Sequence, residues 1–420
     1  MSVPVVLVSG LHAEARSTLV DRLLAEHPGS VAVHHDLGEV GAGRVERIVR
    51  DASGVLDRHH VRLAHGCVTC TVREDLIPEL LARAAGSAPL LIAELWDSVE
   101  PRAVAEALAW HEDAAHALRV TGVLTAVDAE GLTEDLCCDE RLATRGKRAA
   151  ADDERYLAEV LTRQIEYATG IVVSGADQED IELALTVLGH LVPTTPADVL
   201  ALPEVTGRRV DVEMLAARVD PATAQLPCQA RTGEISTVVW HRLRPLHPQR
   251  LFDAVDELVT QTVRSRGRFW LANRHDRLLA WDAVAGVVSI EDAGPWLVAL
   301  PEAAWELVSP PGGWPPPWTG TTSSVTASSI SSSPAPISTR TASSRCWTPA
   351  CSPSRSRWPD RTSGRTTPTR SPSYSTSRRA PHENRPPTAQ EGESTAGRRL
   401  HRLQGHRPAA QVHLRPGQDS

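Results

Sequence analysis

Two stretches of this chain hold residues whose types and spacing could do chemistry. Cys67 and Cys70 form a C-x-x-C pair just ahead of a helical apolar pattern. Two thiolates at that spacing can chelate one soft metal ion such as zinc. A closed tetrahedral site needs two further ligands, and no second C-x-x-C follows; His65 is a candidate third. Metal binding, a redox dithiol and inert buried thiols are the three readings of the pair, and the redox one needs a thioredoxin-like strand order that the chain does not suggest. Cys137 and Cys138 lie in an acidic loop, Cys228 stands alone, and Cys346 and Cys351 fall in a Ser/Pro/Arg tract.

The second stretch is Ser9-Gly10-Leu11-His12-Ala13-Glu14-Ala15-Arg16-Ser17-Thr18, between an apolar run and a helical pattern. A phosphate-binding loop reads Gly, four residues, then Gly-Lys-Ser/Thr, with backbone N–H groups around the phosphates and the lysine reaching them. Gly10 and Ser17 match, whereas Ala15 stands for the second glycine and Arg16 for the lysine. If that position needs a positive φ, the alanine Cβ costs roughly 1–2 kcal/mol or the loop must reshape. Arginine presents a broad planar fork where lysine is a compact point charge. The single lysine, Lys147, lies far along the chain in a polar run and is not expected to replace it. A strand-turn-helix without a ligand fits the motif equally well, although a helix N-terminus still offers N–H groups to an anion.

Both stretches need elements to hold them. Val3–Val8 is a short Val-rich run and predicts a buried parallel strand. Helical spacing follows at Ser17–Ala25, a strand at Ser30–His34, a helix at Arg73–Ala85 and a strand at Pro89–Glu94. Leu118–Val127 and Ile171–Ser174 read as strands, and Glu154–Tyr167 as a helix opened by the acidic run Asp152-Asp153-Glu154. Strands alternating with helices predict an α/β fold, a parallel sheet with helices on both faces. Residues 1–205 form this domain and 206–233 a linker. Glu234–Leu243, Pro248–Thr262 and Gly267–Asn273 then predict strand, helix and strand of a small α+β domain over 234–310. Its Trp240, Trp270, Trp281, Trp296 and Trp305 read as a core or an interaction surface. His34 and His35, at the end of a strand, read as packing or surface residues rather than ligands.

Composition divides the chain in two. Residues 1–310 carry 29 Lys+Arg against 47 Asp+Glu, while 311–420 carry 15 Arg against five acids. So acidic a body argues against sequence-independent nucleic-acid binding, which needs a basic face. No stretch approaches 18 apolar residues, and Met1–Val8 lacks a basic leader region, so neither a membrane span nor a secretory signal is expected. Odd cysteine usage without disulfide rhythm fits a reducing cytoplasm. From 311 to 420, Ser, Thr, Pro and Arg dominate, and no leucine occurs between Trp314 and Gln390. Such a tail is expected to be disordered. A shifted reading frame accounts for it better than a natural low-complexity tail: the back-translated Pro316–Ser323 segment, read one frame over, gives Ala-Leu-Asp-Trp-Asp-Asp-Glu.

Six segments in order resemble the CobW-type P-loop GTPases, a metal-handling family, over about residues 3–310. They follow the loop above in chain order. Asp36-Leu37-Gly38-Glu39-Val40-Gly41 resembles the family's Asn-Glu-Phe-Gly-x-x-Gly, and His65-Gly66-Cys67-Val68-Thr69-Cys70-Thr71-Val72-Arg73 its Gly-Cys-x-Cys-Cys-x-x-Arg, with Thr69 for the middle cysteine. Glu94-Leu95-Trp96-Asp97-Ser98-Val99-Glu100-Pro101 aligns with Glu-x-x-Gly-x-x-Asp-Pro, and Ser174-Gly175-Ala176-Asp177 stands at the base-reading Asn-Lys-x-Asp. Arg244–Pro248 and Arg266–Ala272 resemble segments of the C-terminal domain.

The resemblance implies a nucleotide site for GTP and Mg²⁺ at Gly10, Arg16, Ser17, Thr18 and Asp177, and a catalytic role for Glu94. It implies a zinc site at Cys67 and Cys70, with Asp36, Glu39 and His65 as further donors. Asp97 replaces the glycine that would sense the γ-phosphate and places a carboxylate near phosphate charge. Mg²⁺, protonation or the absence of triphosphate would relieve that repulsion. Slow or absent GTP hydrolysis is the expectation. The loop, cysteine and Glu94–Pro101 segments further resemble a subgroup that recruits a hibernation factor to ribosomes when zinc is scarce. This implies a zinc-responsive protein that recruits a partner, a ribosome hibernation factor or the small ribosomal subunit, with no direct sequence-specific nucleic acid and no membrane. A metallochaperone GTPase delivering zinc to a client is the alternative.

Overall fold

In the computed structural model the described residues are 2–296, apart from 87, 200 and 225, together with 299–300 and 323–330. The first part runs β1 (Val3–Ser9), α1 (Ala13–Glu26), β2 (Val31–Asp36), β3 (Arg44–Asp51) and β4 (Gly54–Arg62). It continues through α2 (Val68–Thr71), α3 (Ile77–Ala85), β5 (Leu91–Glu94), α4 (Pro101–Trp110), α5 (Glu112–Ala117) and β6 (Leu118–Asp128). Then come α6 (Ala129–Cys137), α7 (Leu157–Tyr167), β7 (Gly170–Ser174), α8 (Gln178–Leu191) and β8 (Ala197–Asp198). A π-helical turn, Val72–Leu76, joins α2 to α3.

These strands form one sheet in the order β4-β3-β2-β5-β1-β6-β7-β8. The six from β2 to β8 are parallel, and β3 pairs antiparallel with both β2 and β4. Successive β1 residues point to opposite cores. Val5 and Leu7 pack with Val104 and Leu108 of α4, while Val6 and Val8 pack with Leu19 and Leu23 of α1. Helices thus cover both faces, which is why β1 is apolar throughout rather than alternating. The chain leaves β1 toward β2 and leaves β5 toward β6, in opposite directions across the sheet. That arrangement opens a crevice outside the carboxyl ends of these strands.

Three expectations need correction. The sheet is not wholly parallel: the β3–β4 hairpin closes one edge, through a turn in which Asp51 accepts from the N–H and hydroxyl of Ser53. Only Val45 and Val49 of β3 are fully buried, so its sequence lacks the continuous apolar run of an inner strand. The acidic run does not cap α7, which starts at Leu157. Asp153 instead accepts from the Ala149 N–H and pairs with Arg155. The linker region contains α9 (Val212–Val219), whose Val212 and Leu215 join the same core as Val5.

The second part holds β9 (Ala230–Thr232), β10 (Ile235–Arg242), α10 (Pro248–Thr260), β11 (Arg264–Leu271), β12 (Arg274–Val284), β13 (Val287–Pro295) and β14 (Ser323–Ile330). They form an antiparallel sheet ordered β13-β12-β11-β14-β10-β9. Trp240 and Trp281 pack with Leu251, Val255 and Phe269, and Trp270 with Trp296, so these tryptophans build core.

The tail expectation fails at one place. Ser323–Ile330 pairs along its length with β10 and along five residues with β11. A strand bonded on both sides is held by its backbone, and Ser, Thr and Val serve there without leucine. Residues 301–322 and 331–420 lie outside the described residues, and so do Trp305 and the remainder of the tail on which that expectation rests. Among the described residues no helix is long and apolar enough to cross a membrane.

Candidate functional site

The crevice at the end of β1 begins with Gly10, whose φ is +150°. A Cβ there would stand 2.4 Å from the Ala126 carbonyl of β6, so only glycine lets the loop cross. Helix α1 then starts early, at Ala13, with the Arg16 N–H bonded to the His12 carbonyl. Ala15 is an ordinary helical residue and only Leu11 and His12 remain between glycine and helix. The loop has reshaped around its alanine, and the backbone wrap that cradles phosphates is correspondingly short. His12 Nε2 lies 2.7 Å from Asp135 of α6, which fixes the loop from the side.

Arg16 turns inward and is 2% exposed. Its Nη1 donates to the Gly10 carbonyl and to Asp97 Oδ1, each at 2.8 Å. Lys147 arrives from the long loop between α6 and α7, and its Nζ donates to the Leu11 carbonyl at 2.8 Å and to Asp97 Oδ2 at 2.6 Å. This corrects the expectation that Lys147 stays away: the one lysine enters the phosphate loop. Asp97, 6% exposed, therefore lies between two cations. Its segment is pinned from α7 by Gln164, whose Nε2 donates to the carbonyls of Asp97 (2.8 Å) and Val99 (3.2 Å). Arg155 adds a bond to the Ser98 carbonyl at 3.1 Å.

Glu94 is buried at the end of β5. Arg50 Nη2 donates to it at 3.1 Å, and Arg16 Nε lies 3.5 Å away. Two guanidiniums hold this carboxylate, which fits an internal counter-ion better than a free base. Its carbonyl meets His34 Nδ1 at 3.0 Å, and burial leads in holding the His34 pKa below its ordinary value, against the pull of Glu94. Ser17 is half-buried and Thr18 exposed on α1. Asp177, on the far side of the crevice at the end of β7, caps α8 by accepting from the Glu179 N–H at 2.7 Å.

The cysteine loop depends on another glycine. A Cβ on Gly66 would stand 2.0 Å from the Val40 carbonyl, so the loop rests directly on the 36–43 backbone. Cys67 then caps α2, its sulfur accepting from the Cys70 N–H at 3.4 Å. Cys67 also forms an isolated antiparallel bridge with Ala150. Burial pushes the Cys70 thiol up to about 11, and the neighbouring Cys67 and Glu74 push the same way. A cavity of about 360 Å³ opens beside the pair, lined by Cys67, Thr69, Ala150, Asp152, Glu154 and Glu159 among others.

The wider donor set does not assemble. Among the described residues no three His, Cys, Asp or Glu side chains form a group able to hold a metal ion. Asp36 is engaged by the Gly38 N–H at 2.8 Å, Glu39 pairs with Arg44 at 2.7 Å, and His65 is exposed. The chemistry that remains is two soft donors at chelating spacing, with Glu74 one helical turn beyond Cys70. That set suits an ion held partly by outside donors rather than a closed structural site. Sequence reading missed the part of Lys147, for which no local signal exists.

Residues 4–195 match the family described as CobW/HypB/UreG, nucleotide-binding domain, and residues 235–309 match the cobalamin synthesis protein cobW C-terminal domain. The "Zinc chaperone Rv0106" of Mycobacterium tuberculosis is 30% identical over 326 residues, covering 71% of this chain and 75% of that protein. The "Zinc-regulated GTPase metalloprotein activator 1" of Dictyostelium discoideum is 22% identical over 331 residues, covering 71% and 69%. The "Zinc chaperone CobW" of Pseudomonas aeruginosa is 26% identical over 233 residues, covering 50% and 61%.

Proposed function

Because the chain belongs to the CobW family of nucleotide-binding proteins, we propose that it is a zinc-handling protein that passes its ion to a client protein. The observation that carries this reading is the half-buried Cys67–Cys70 pair, whose Cys67 lines a cavity together with Asp152, Asp153, Glu154 and Glu159. Zinc bound there supplies charge and a vacant coordination position that a client's side chain can fill. Cys67 and Cys70 hold the ion together with donors from outside the chain, and the carboxylates of the lining attract a cation into the cavity. Zinc delivery is supported over other metals by what the relatives are called.

GTP with Mg²⁺, the nucleotide of the family fold, has at most a weak part in this reading. With Glu94 held by Arg50 and Arg16 and Asp177 engaged as a helix cap, hydrolysis is slow or absent. A second reading, recruitment of a ribosome hibernation factor to the small ribosomal subunit under zinc limitation, draws on the filled phosphate loop, since recruitment needs no turnover. The relatives' names weigh toward delivery.

Zinc per purified chain, measured by atomic emission, tests the site. About one equivalent is expected for the wild type and close to none for the Cys67→Ser, Cys70→Ser double variant. Unchanged zinc in the double variant overturns the assignment. Co-purification from zinc-starved cells separates the two readings: a metalloenzyme supports delivery, and ribosomes support recruitment.

A further inference from the structure

The Asp97 carboxylate stands where a bound anion is expected. In a phosphate-binding loop the cation after the second glycine reaches the terminal phosphates of the nucleotide. Here that cation is Arg16, and its Nη1 is 2.8 Å from Asp97 Oδ1. The other oxygen, Oδ2, takes Lys147 Nζ at 2.6 Å, and Lys147 also reaches the Leu11 carbonyl of the loop. One carboxylate thus occupies both cations at the carboxyl end of β1. Gln164 and Arg155 fix the backbone that carries it, and Gln164 in turn lies under Thr125, which bonds the Gln164 carbonyl at 2.8 Å and the Ser9 hydroxyl at 3.0 Å.

We infer that Asp97 is a built-in substitute for the terminal phosphate, holding the Trp96–Glu100 segment closed on the phosphate loop without any nucleotide. An incoming triphosphate must displace Asp97 from both Arg16 and Lys147. It must also share the crevice with Asp97 and Glu94, and like charges brought together in a buried site repel strongly. The short loop, with α1 already begun at Ala13, offers few free N–H groups in compensation. In this chain the closed arrangement is a property of the sequence and the site has given up its response to GTP.

The inference concerns the phosphate loop and is independent of zinc delivery; zinc content is measured alongside, and its loss bears only on the cysteine pair. The experiment is calorimetric titration of the full chain with GTPγS and Mg²⁺. The wild type is expected to give no saturable binding up to about 1 mM, and Asp97→Gly and Asp97→Asn to bind about tenfold tighter or more. Asp97→Asn keeps the side chain's shape and removes its charge, so it carries the test if the glycine variant does not fold. Adding Lys147→Met to Asp97→Asn should abolish the gain. Micromolar GTPγS binding by the wild type overturns the inference. So does an Asp97→Asn protein that binds no tighter, or one whose gain survives Lys147→Met.

Discussion

The phosphate loop and the cysteine loop are both touched by one segment, yet they end in opposite states. Lys147 bonds Leu11 and Asp97, and three residues later Ala150 bridges Cys67. At the phosphate loop the charges are matched internally, by Arg16 and Lys147 on Asp97 and by Arg50 and Arg16 on Glu94. At the cysteine loop Cys67 faces a cavity with four carboxylates in its lining, of which Glu154 pairs with Arg141, Glu159 with Arg163 and Asp153 with Arg155, while Asp152 lies beside them. Arg155, the one basic residue of that lining, is engaged by Asp153 and Glu100. Two loops of one family fold can therefore diverge, one supplying its ligand from its own side chains and the other remaining open to an ion.

The two glycines sharpen this contrast most. Gly10 and Gly66 each let a loop lie against a backbone carbonyl, but Gly10 does so against a central strand and Gly66 on a half-exposed turn. Gly10→Ala is expected to destabilise the fold by roughly 2–4 kcal/mol, combining overpacking with a strained φ. Gly66→Ala brings a Cβ to 2.0 Å from the Val40 carbonyl and should cost roughly 1–3 kcal/mol, less than Gly10→Ala because the half-exposed loop can shift and no positive φ is strained, while zinc retention falls. Urea melts with zinc analysis check both, and equal destabilisation would mean that the cysteine loop is as rigidly built as the phosphate loop.

A smaller effect concerns Asp75, in the turn that follows Cys70. Burial opposes its ionisation, but His35 Nε2 at 2.7 Å and Arg47 Nη1 at 3.0 Å prevail and hold its pKa below the ordinary value. A depressed carboxylate stabilises the fold above the unfolded pKa, near 3.9, and that contribution disappears as pH falls through the folded value. Asp75→Asn should thus cost about 1 kcal/mol at pH 7 and progressively less below pH 4. A gap between wild type and variant that stays constant from pH 7 to 3 would contradict the pairing.

What was legible in the sequence followed from local pattern. Val3–Val8 and Leu118–Val127 are continuous apolar runs because both faces of their strands are buried, and they fell where the structure has them. The C-x-x-C pair and the altered loop were visible as spacing. The β3–β4 hairpin was not, since an edge exposes half its side chains and Arg47 or His59 look like loop residues. Asp97 was recognised as a carboxylate near phosphate, but its neutralisation by Lys147 depends on a partner 50 residues away. Ala15 signalled that the loop would either strain or reshape, and the early start of α1 at Ala13 shows reshaping. The strand Ser323–Ile330 was missed because an inner strand's backbone pairing leaves no leucine pattern to read.

The most direct measurement titrates the unmodified full chain with zinc and with GTPγS·Mg²⁺ in parallel, starting from metal-free protein. The expected result is one zinc per chain, bound with saturation, and no saturable nucleotide binding. Saturable micromolar GTPγS binding together with no zinc binding would contradict it, for the open and the filled loop would then have exchanged places.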